Sequence, residues 1–154
     1  MTGSLCTSCV DLVAGGILDT PDPVAPGGSI ARIATMSNAG DISTAVLGPA
    51  SAQIWVVLDG TYETLGTYSA TAGFTCTDGT VFTLIVVECV GDLGPGQGVA
   101  VTVNSTASGA SDGDVLYSYL FADPSNIYPE GTGSGDEFTD ANNQVTEATS
   151  VVGP

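Results

Sequence analysis

The chain has 154 residues, a length that fits one domain, and 12% of them are charged, against ~25% in a typical soluble domain. Arg32 is its one basic residue and it has no Lys or His, so the formal net charge is −16. This excludes nucleic-acid binding and attraction to anionic membranes, which need Lys and Arg, and the general-base chemistry that His and Lys provide. Carboxylate-pair catalysis is left open, but the composition favours a protein that is not an enzyme.

The first predicted elements are a tail and two strands. Residues 1–9 form a predicted cysteine-bearing tail, and residues 10–154 form one predicted domain. Residues 10–18 (VDLVAGGIL) are predicted as an edge strand and are followed by a turn rich in Pro and Gly. Residues 29–38 (SIARIATMSN) alternate apolar with small polar residues, which is typical of a half-buried strand.

Strand-forming residues continue through the middle of the chain, with turn residues between the runs. The strands predicted here are residues 43–48, 52–60, 61–70, 74–77 and 81–90. The last two form a predicted hairpin whose turn is placed at the sequence TDGT, residues 77–80.

The four cysteines Cys6, Cys9, Cys76 and Cys89 allow three disulfide pairings. Cys76 and Cys89 lie at the far ends of the predicted hairpin strands, so a disulfide between them fits the hairpin and would contribute roughly 3 kcal/mol. Cys6 and Cys9 have the spacing of zinc and redox sites, but they lie in a tail and no second CxxC exists. A disulfide that pins the tail, to itself or to a neighbour, is the favoured hypothesis. The even number of cysteines indicates an oxidising compartment.

Three further strands are predicted at residues 99–106, 114–122 and 143–152. Helical periodicity is almost absent from the chain. Eight to ten short strands predict an all-β fold, an antiparallel β-sandwich with long loops, and a barrel is the alternative. The sequence Asn104-Ser-Thr also fits a site for N-glycosylation.

Residues 121–144 hold five carboxylates and no base. As a link between the last two strands, their Asp, Asn and Gly residues suit a hairpin connection. The alternative is a calcium site, because Ca²⁺ takes six to eight oxygen ligands. Neither candidate cluster has the ligand spacing of an EF-hand, so the cofactor prediction is none or calcium. The candidate ligands are Asp136, Glu137, Asp140 and Asn142, with a second cluster at Asp112 and Asp114.

Three stretches, taken in order, carry a family resemblance. Residues 11–40 hold an apolar strand, a P-x-x-V-x-P-G turn and a strand ending in N-x-G; residues 89–106 hold a Cys, a DLGPGQ turn and an alternating strand. Residues 114–152 hold a strand, a DPSN turn, the acidic link and a last strand. Together they resemble the immunoglobulin-like repeats of bacterial and archaeal surface proteins, especially the cell-adhesion-related bacterial domain (CARDB). The resemblance implies an immunoglobulin-like fold and a structural or adhesive role outside the cell, with no catalytic residues.

The chain departs from this family in two places, since the link at residues 123–142 is longer than usual and residues 61–80 are expanded. The favoured hypothesis is a non-enzymatic structural or adhesive subunit of an extracellular or cell-surface assembly (a filament, pilus-like fibre or adhesin) that self-assembles by strand exchange. Its partners would be further copies or neighbouring subunits, with no nucleic acid. The longest apolar run, residues 81–90, is too short to span a bilayer, so no membrane insertion is expected.

Two alternatives to this hypothesis remain. One is a decoration or cement protein on a virion surface. The other is a calcium-dependent carbohydrate-binding module whose aromatic platform includes Tyr117, Tyr119 or Tyr128.

Overall fold

The computed structural model describes residues 9–124 and 143–154, which contain nine β-strands and one short 3₁₀ helix, Thr44–Leu47. Strand β2 has the predicted bounds, whereas β1 begins and ends two residues later than predicted. The strands are β1 (Leu12–Thr20), β2 (Ser29–Asn38), β3 (Ala52–Asp59), β4 (Thr64–Ala70), β5 (Thr75–Val81), β6 (Leu84–Gly91), β7 (Gly98–Thr106), β8 (Val115–Ala122) and β9 (Gln144–Ser150).

The strands form two antiparallel sheets that pack face to face. The four-stranded sheet has the order β1-β2-β7-β4, and the five-stranded sheet has the order β5-β6-β3-β8-β9. At one side of the sandwich β1 lies against β8 and β9, and at the other β4 lies against β5. The predicted fold, an all-β immunoglobulin-like antiparallel sandwich, is confirmed.

Alternation along the strands builds the core between the sheets. In β2 the inward residues Ile30, Ala34 and Met36 are buried, whereas Ile33 and Thr35 between them are exposed. Each large aliphatic side chain that leaves water in this way stabilises the fold by roughly 1.5–3 kcal/mol. Strand β7 of the same sheet adds Val99, Val101 and Val103, and strands β3, β6 and β8 of the opposite sheet supply Ile54, Val56, Leu58, Val87 and Leu120.

Residues 43–48 do not form the predicted strand, and the 3₁₀ helix takes their place. The hydroxyl of Ser43 caps this helix by accepting a hydrogen bond from the Ala45 amide at 3.2 Å. The hydroxyl of Thr44 accepts a hydrogen bond from the Leu93 amide at 2.9 Å, which ties the turn to the β6–β7 connection. The prediction was wrong because this distant contact, and not the β-branched composition, decides the backbone conformation.

Asp92 reinforces the same connection. Its carboxylate accepts hydrogen bonds from the Ala50 amide at 2.8 Å, the Ser51 amide at 3.1 Å and the Thr44 hydroxyl at 3.0 Å. Burial acts to raise the pKa of Asp92, but these three hydrogen bonds to the charged form outweigh it, so the pKa lies below its usual value. The carboxylate is therefore ionised at neutral pH and holds three chain segments together.

The hairpin of β5 and β6 turns later than predicted. Strand β5 continues through the TDGT sequence at residues 77–80, and the turn consists of Phe82 and Thr83. The register places Cys76 directly opposite Cys89, and a disulfide joins them. Because opposing residues of a hairpin lie equally far from its turn, this pairing is compatible with a turn at Phe82 and Thr83 and not at TDGT.

The single basic residue lies inside the sandwich. Arg32, on β2, is 0% exposed, and its guanidinium contacts Glu63 at two points, Nη1 to Oε1 at 2.7 Å and Nη2 to Oε2 at 3.2 Å. Nη1 also donates to the Ser105 hydroxyl at 3.1 Å, and Nη2 to the Thr149 hydroxyl at 3.5 Å. Because the chain has no other Lys, Arg or His, burial of Arg32 leaves no basic side chain at the surface.

Across residues 9–124 and 143–154, no helix combines the length and the apolar character that a membrane crossing requires. The division of the chain into a tail (residues 1–9) and one domain (residues 10–154) stays a prediction.

Candidate functional site

The outer face of the five-stranded sheet is built by the residues that alternate with the core. In β3, Ile54 and Val56 point inward, so Trp55 and Val57 point outward. The same alternation in β6 and β8 directs apolar side chains outward. We call this surface the apolar face: Trp55, Val57, Val86, Val90, Tyr119 and Phe121.

The strand register gathers these side chains into one cluster. Val57 is directly opposite Val86 on one side and Tyr119 on the other. Directly opposed residues have Cβ atoms about 5 Å apart, so their side chains touch. Val57 is 4% exposed although it belongs to neither core cluster, because its outward-facing neighbours cover it. The rings of Tyr119 and Phe121 stack with centroids 6.4 Å apart and an interplanar angle of 27°.

One carboxylate lies within the apolar face. Glu88, on β6, is directly opposite Trp55, and both are half-buried. The indole Nε1 of Trp55 donates a hydrogen bond to Oε2 of Glu88 at 2.6 Å. No basic side chain faces Glu88, since the chain's one base, Arg32, lies between the sheets.

The tip of the β5–β6 hairpin extends this surface. Val81, Phe82 and Leu84 are all exposed, and Phe82 is 99% exposed. Phe82 also has a φ of 56°, in the left-handed region that bulky side chains rarely adopt. The turn therefore holds an aromatic ring in solvent at a cost in backbone energy, which makes Phe82 a candidate contact residue.

The outer face of the four-stranded sheet has the opposite character. Its outward residues are mainly hydroxyl and amide side chains, as expected where an antiparallel sheet faces water. The exceptions are the exposed residues Leu18 and Ile33, which lie directly opposite each other on β1 and β2. We call this surface the polar face: Thr35, Ser37, Ser69, Thr102, Asn104 and Thr106. Asn104, the predicted glycosylation residue, is half-buried here, and its Nδ2 donates to the Thr67 hydroxyl at 3.0 Å. Glycosylation at Asn104 stays a prediction.

A cluster of three carboxylates, which sequence reasoning missed, lies where β1 and β9 approach each other. One oxygen each from Asp19, Asp22 and Glu147 lies within 4.8 Å of the others. The Thr149 hydroxyl donates to Asp19, and the Ser150 amide donates to Asp22 at 3.0 Å. Three oxygens at this spacing suit a divalent cation. No local pattern indicated the cluster because Glu147 is more than a hundred residues from Asp19 and Asp22 along the chain.

Two of the predicted calcium ligands, Asp112 and Asp114, are among the described residues, and neither is part of this cluster. Asp112 accepts a hydrogen bond from the Gly153 amide at 2.8 Å, and Asp114 accepts one from the Ser111 amide at 2.8 Å, so both carboxylates stabilise turns. Calcium binding stays a prediction. The other four predicted ligands, Asp136, Glu137, Asp140 and Asn142, lie outside the described residues.

The cysteines of the predicted tail are described in part. Cys9 takes part in a disulfide, whereas Cys6 lies outside the described residues. Among the described residues there is no free cysteine. The arrangement fits an oxidising compartment.

No family model matches the sequence, and no curated protein matches it either. Its structure is similar to a CARDB domain from Pyrococcus furiosus, crystallised in complex with di-metal ions, with a TM-score of 0.62 and 20% identity over 97% of this chain and 95% of that chain. It is also similar to a cohesin module from a Clostridium perfringens family 33 glycoside hydrolase, with a TM-score of 0.56 and 13% identity over 92% of this chain and 99% of that chain.

A third similar structure is the N-terminal domain of the Streptococcus gordonii adhesin Sgo0707, with a TM-score of 0.54 and 11% identity over 92% of this chain and 32% of that chain. At these identities the likeness shows the fold. The resemblance to CARDB and to immunoglobulin-like surface domains is therefore confirmed at the level of the fold.

Proposed function

We propose that the protein is a non-enzymatic structural or adhesive module of an extracellular surface assembly, and that it holds its partner on the apolar face. The observation that carries this proposal is the contrast between the two outer faces. The outer face of the four-stranded sheet is mainly polar apart from Leu18 and Ile33, whereas the apolar face directs the half-buried aromatic residues Trp55, Tyr119 and Phe121 outward. Both faces belong to one small sandwich, so general composition does not explain the difference.

An apolar cluster with half-buried aromatic residues on an outer sheet face has the character of a binding surface. Apolar patches rimmed by polar residues mark interaction sites on soluble proteins, and Trp and Tyr are enriched among the residues that dominate binding energy. The fold-level likeness to a cohesin module and to an adhesin domain supports a binding role outside the cell. The Cys76–Cys89 disulfide supports an oxidising compartment.

The test compares retention on the cell surface in the source organism. In the double variant Tyr119→Thr/Phe121→Thr, β-branched residues keep the strand but remove the aromatic pair. The control is Ile33→Thr, which removes an exposed apolar side chain from the opposite outer face. The double variant should be released from washed cells while wild type and the control are retained.

Two results of this fractionation would contradict the proposal. Equal retention of both variants would show that the apolar face is not the docking surface. Recovery of the protein inside the cell would contradict the extracellular location, and recovery in virus particles would favour the virion alternative.

Self-assembly by strand exchange would use the edges of the sheets and not the apolar face. Backbone groups at an open edge can accept an added strand from another copy. Light scattering of the non-reduced protein, with and without EDTA, tests this part. Large particles that survive EDTA would support strand or disulfide linkage, particles that dissociate would support a calcium joint, and a monomer in both conditions would contradict self-assembly.

A carbohydrate-binding module is the second candidate function. The stacked rings of Tyr119 and Phe121, with Trp55 beside them, favour it, since sugar rings pack on aromatic side chains. Tyr117 lies on the same outer face and Tyr128 lies outside the described residues. A glycan array probed with and without calcium, using wild type and Tyr119→Thr/Phe121→Thr, tests it. Binding that the double variant loses would support a lectin-like role, and an array without hits would exclude it for the sugars displayed.

A further inference from the structure

The carboxylate of Glu88 defines what can cover the apolar face. Its neighbours on that face are Val86 and Val90 along β6 and Trp55 and Thr77 across the sheet. The Trp55 indole donates to Oε2 at 2.6 Å. The carboxylate of Glu88 has two oxygens that can each accept more than one hydrogen bond. While the face is open, water donates the hydrogen bonds that Trp55 does not supply.

Covering the face removes that water. Burying a carboxylate that loses its water and gains no new donors is strongly unfavourable and would cancel the gain from burying the apolar neighbours. A partner that binds here must therefore direct hydrogen-bond donors, and preferably a positive charge, at Glu88. A purely apolar partner surface would fit the valines and aromatic rings but not the carboxylate.

The chain itself has no basic side chain to offer. Arg32 is 0% exposed and is already paired with Glu63 at 2.7 Å, and the sequence contains no Lys or His. Neither the face of a second copy nor residues 125–142 of the same chain can place a basic side chain on Glu88. Two copies also repel each other, because each carries a net charge of −16.

We propose, resting on the proposed function, that the occupant of the apolar face is a different protein that presents one arginine to Glu88 from the centre of an apolar surface. Arginine fits better than lysine on two counts. Its planar guanidinium donates two parallel hydrogen bonds to a carboxylate, and it stacks on aromatic rings such as that of Trp55. The net negative charge of the module would also speed the approach of a basic partner.

The state of the free protein is measured first. Light scattering gives its mass, and acrylamide quenching gives the accessibility of Trp55, the one tryptophan in the chain. A monomer with a quenchable Trp55 is expected. A dimer whose Trp55 is shielded, or a monomer with Trp55 shielded, would assign the face to a second copy or to the chain's own residues and would overturn the proposal.

The probe for the partner is a random peptide display library without tryptophan, panned at 0.5 M salt to suppress general attraction to a protein of high negative charge. The targets are wild type, Glu88→Gln and the control Asp22→Asn. Gln keeps the size and an acceptor for the Trp55 indole, and both variants remove one charge. Wild type and the control should enrich peptides with one arginine among apolar residues, and Glu88→Gln should not enrich the arginine.

A double-mutant cycle on the best synthetic peptide completes the test, read by Trp55 fluorescence. Replacing its arginine with citrulline should weaken binding to wild type roughly tenfold or more and should change binding to Glu88→Gln little. Equal effects on the two proteins, or enriched peptides without a base, would overturn the arginine inference. If the enriched peptides without a base still fail to bind Tyr119→Thr/Phe121→Thr, docking on the apolar face remains supported. Peptides that bind this double variant as tightly as wild type would overturn both the arginine inference and docking on the apolar face.

Discussion

Replacing Arg32 with Met tests how the sandwich accommodates its single base. Met has a similar length and no charge, so the substitution removes the ion pair while it fills most of the space. The carboxylate of Glu63, which is 3% exposed, then loses both hydrogen bonds from the guanidinium. It keeps the hydrogen bond that the Ser105 hydroxyl donates at 2.7 Å. An uncompensated charge would then lie between two sheets.

Loss of one partner from a buried ion pair costs about 3–5 kcal/mol. Domains of this size have a free energy of unfolding of about 5–15 kcal/mol, so the variant should still fold but with little stability left. The double variant Arg32→Met/Glu63→Gln should recover about 2 kcal/mol or more, because the amide is neutral and its oxygen still accepts from Ser105. Neutralising Glu63 should therefore restore part of the stability that the protein loses when Arg32 is replaced.

The assay is equilibrium unfolding in urea, followed by the fluorescence of Trp55. Urea is preferable to guanidinium chloride because it does not screen the net charge of −16. The control Arg32→Lys keeps the charge but loses the two-point contact, and should fall between wild type and Arg32→Met. A cost below about 1 kcal/mol for Arg32→Met, or a double variant no more stable than the single one, would contradict an uncompensated buried charge at Glu63.

Three further predictions concern the β5–β6 hairpin. Replacing Cys76 and Cys89 with Ala should cost about 3 kcal/mol in urea unfolding, and an unchanged midpoint would contradict the expected loop constraint. The hydrogen bond from Tyr68 to Asp78, at 2.6 Å, together with burial and the nearby negative charge, raises the pKa of Tyr68. Asp78→Asn should lower that pKa toward its usual value in an absorbance titration, and no change would exclude the hydrogen bond in solution. Phe82→Asn should stabilise the hairpin by about 0.5–1 kcal/mol relative to Phe82→Ala, because Asn tolerates the left-handed conformation; equal stabilities would contradict the observed turn.

The parts of the fold that depend on local pattern could be predicted from the sequence. The strict alternation of β2 gave both of its ends correctly, since one face of that strand is buried throughout. The 3₁₀ helix at Thr44–Leu47 could not be predicted, because its conformation depends on Leu93 and Asp92, which lie far along the chain. The position of the hairpin turn could have been predicted, because two cysteines that face each other across a hairpin imply a turn midway between them.

A sequence pattern in β3 and β6 also indicates the apolar face. The runs IWVVL in β3 and LIVV in β6 lack alternation, which is typical of strands with two apolar faces. One face of each strand packs in the core, and the second contributes to the apolar face. The register that places Glu88 beside Trp55, and the meeting of Asp19 with Glu147, arise from the packing of distant strands, and no local pattern contains them.

Burial of Arg32 also controls how the protein is degraded. It supplies the one peptide bond in the chain that trypsin-like proteases can cleave, and it lies in β2, between β1 and β7. A strand with hydrogen-bonded neighbours on both sides does not reach a protease by fraying, so cleavage requires the sheet to open. The rate of tryptic cleavage should therefore follow the population of globally unfolded molecules. Towards this class of protease, the lifetime of the protein is set by its folding stability and not by the mobility of its loops.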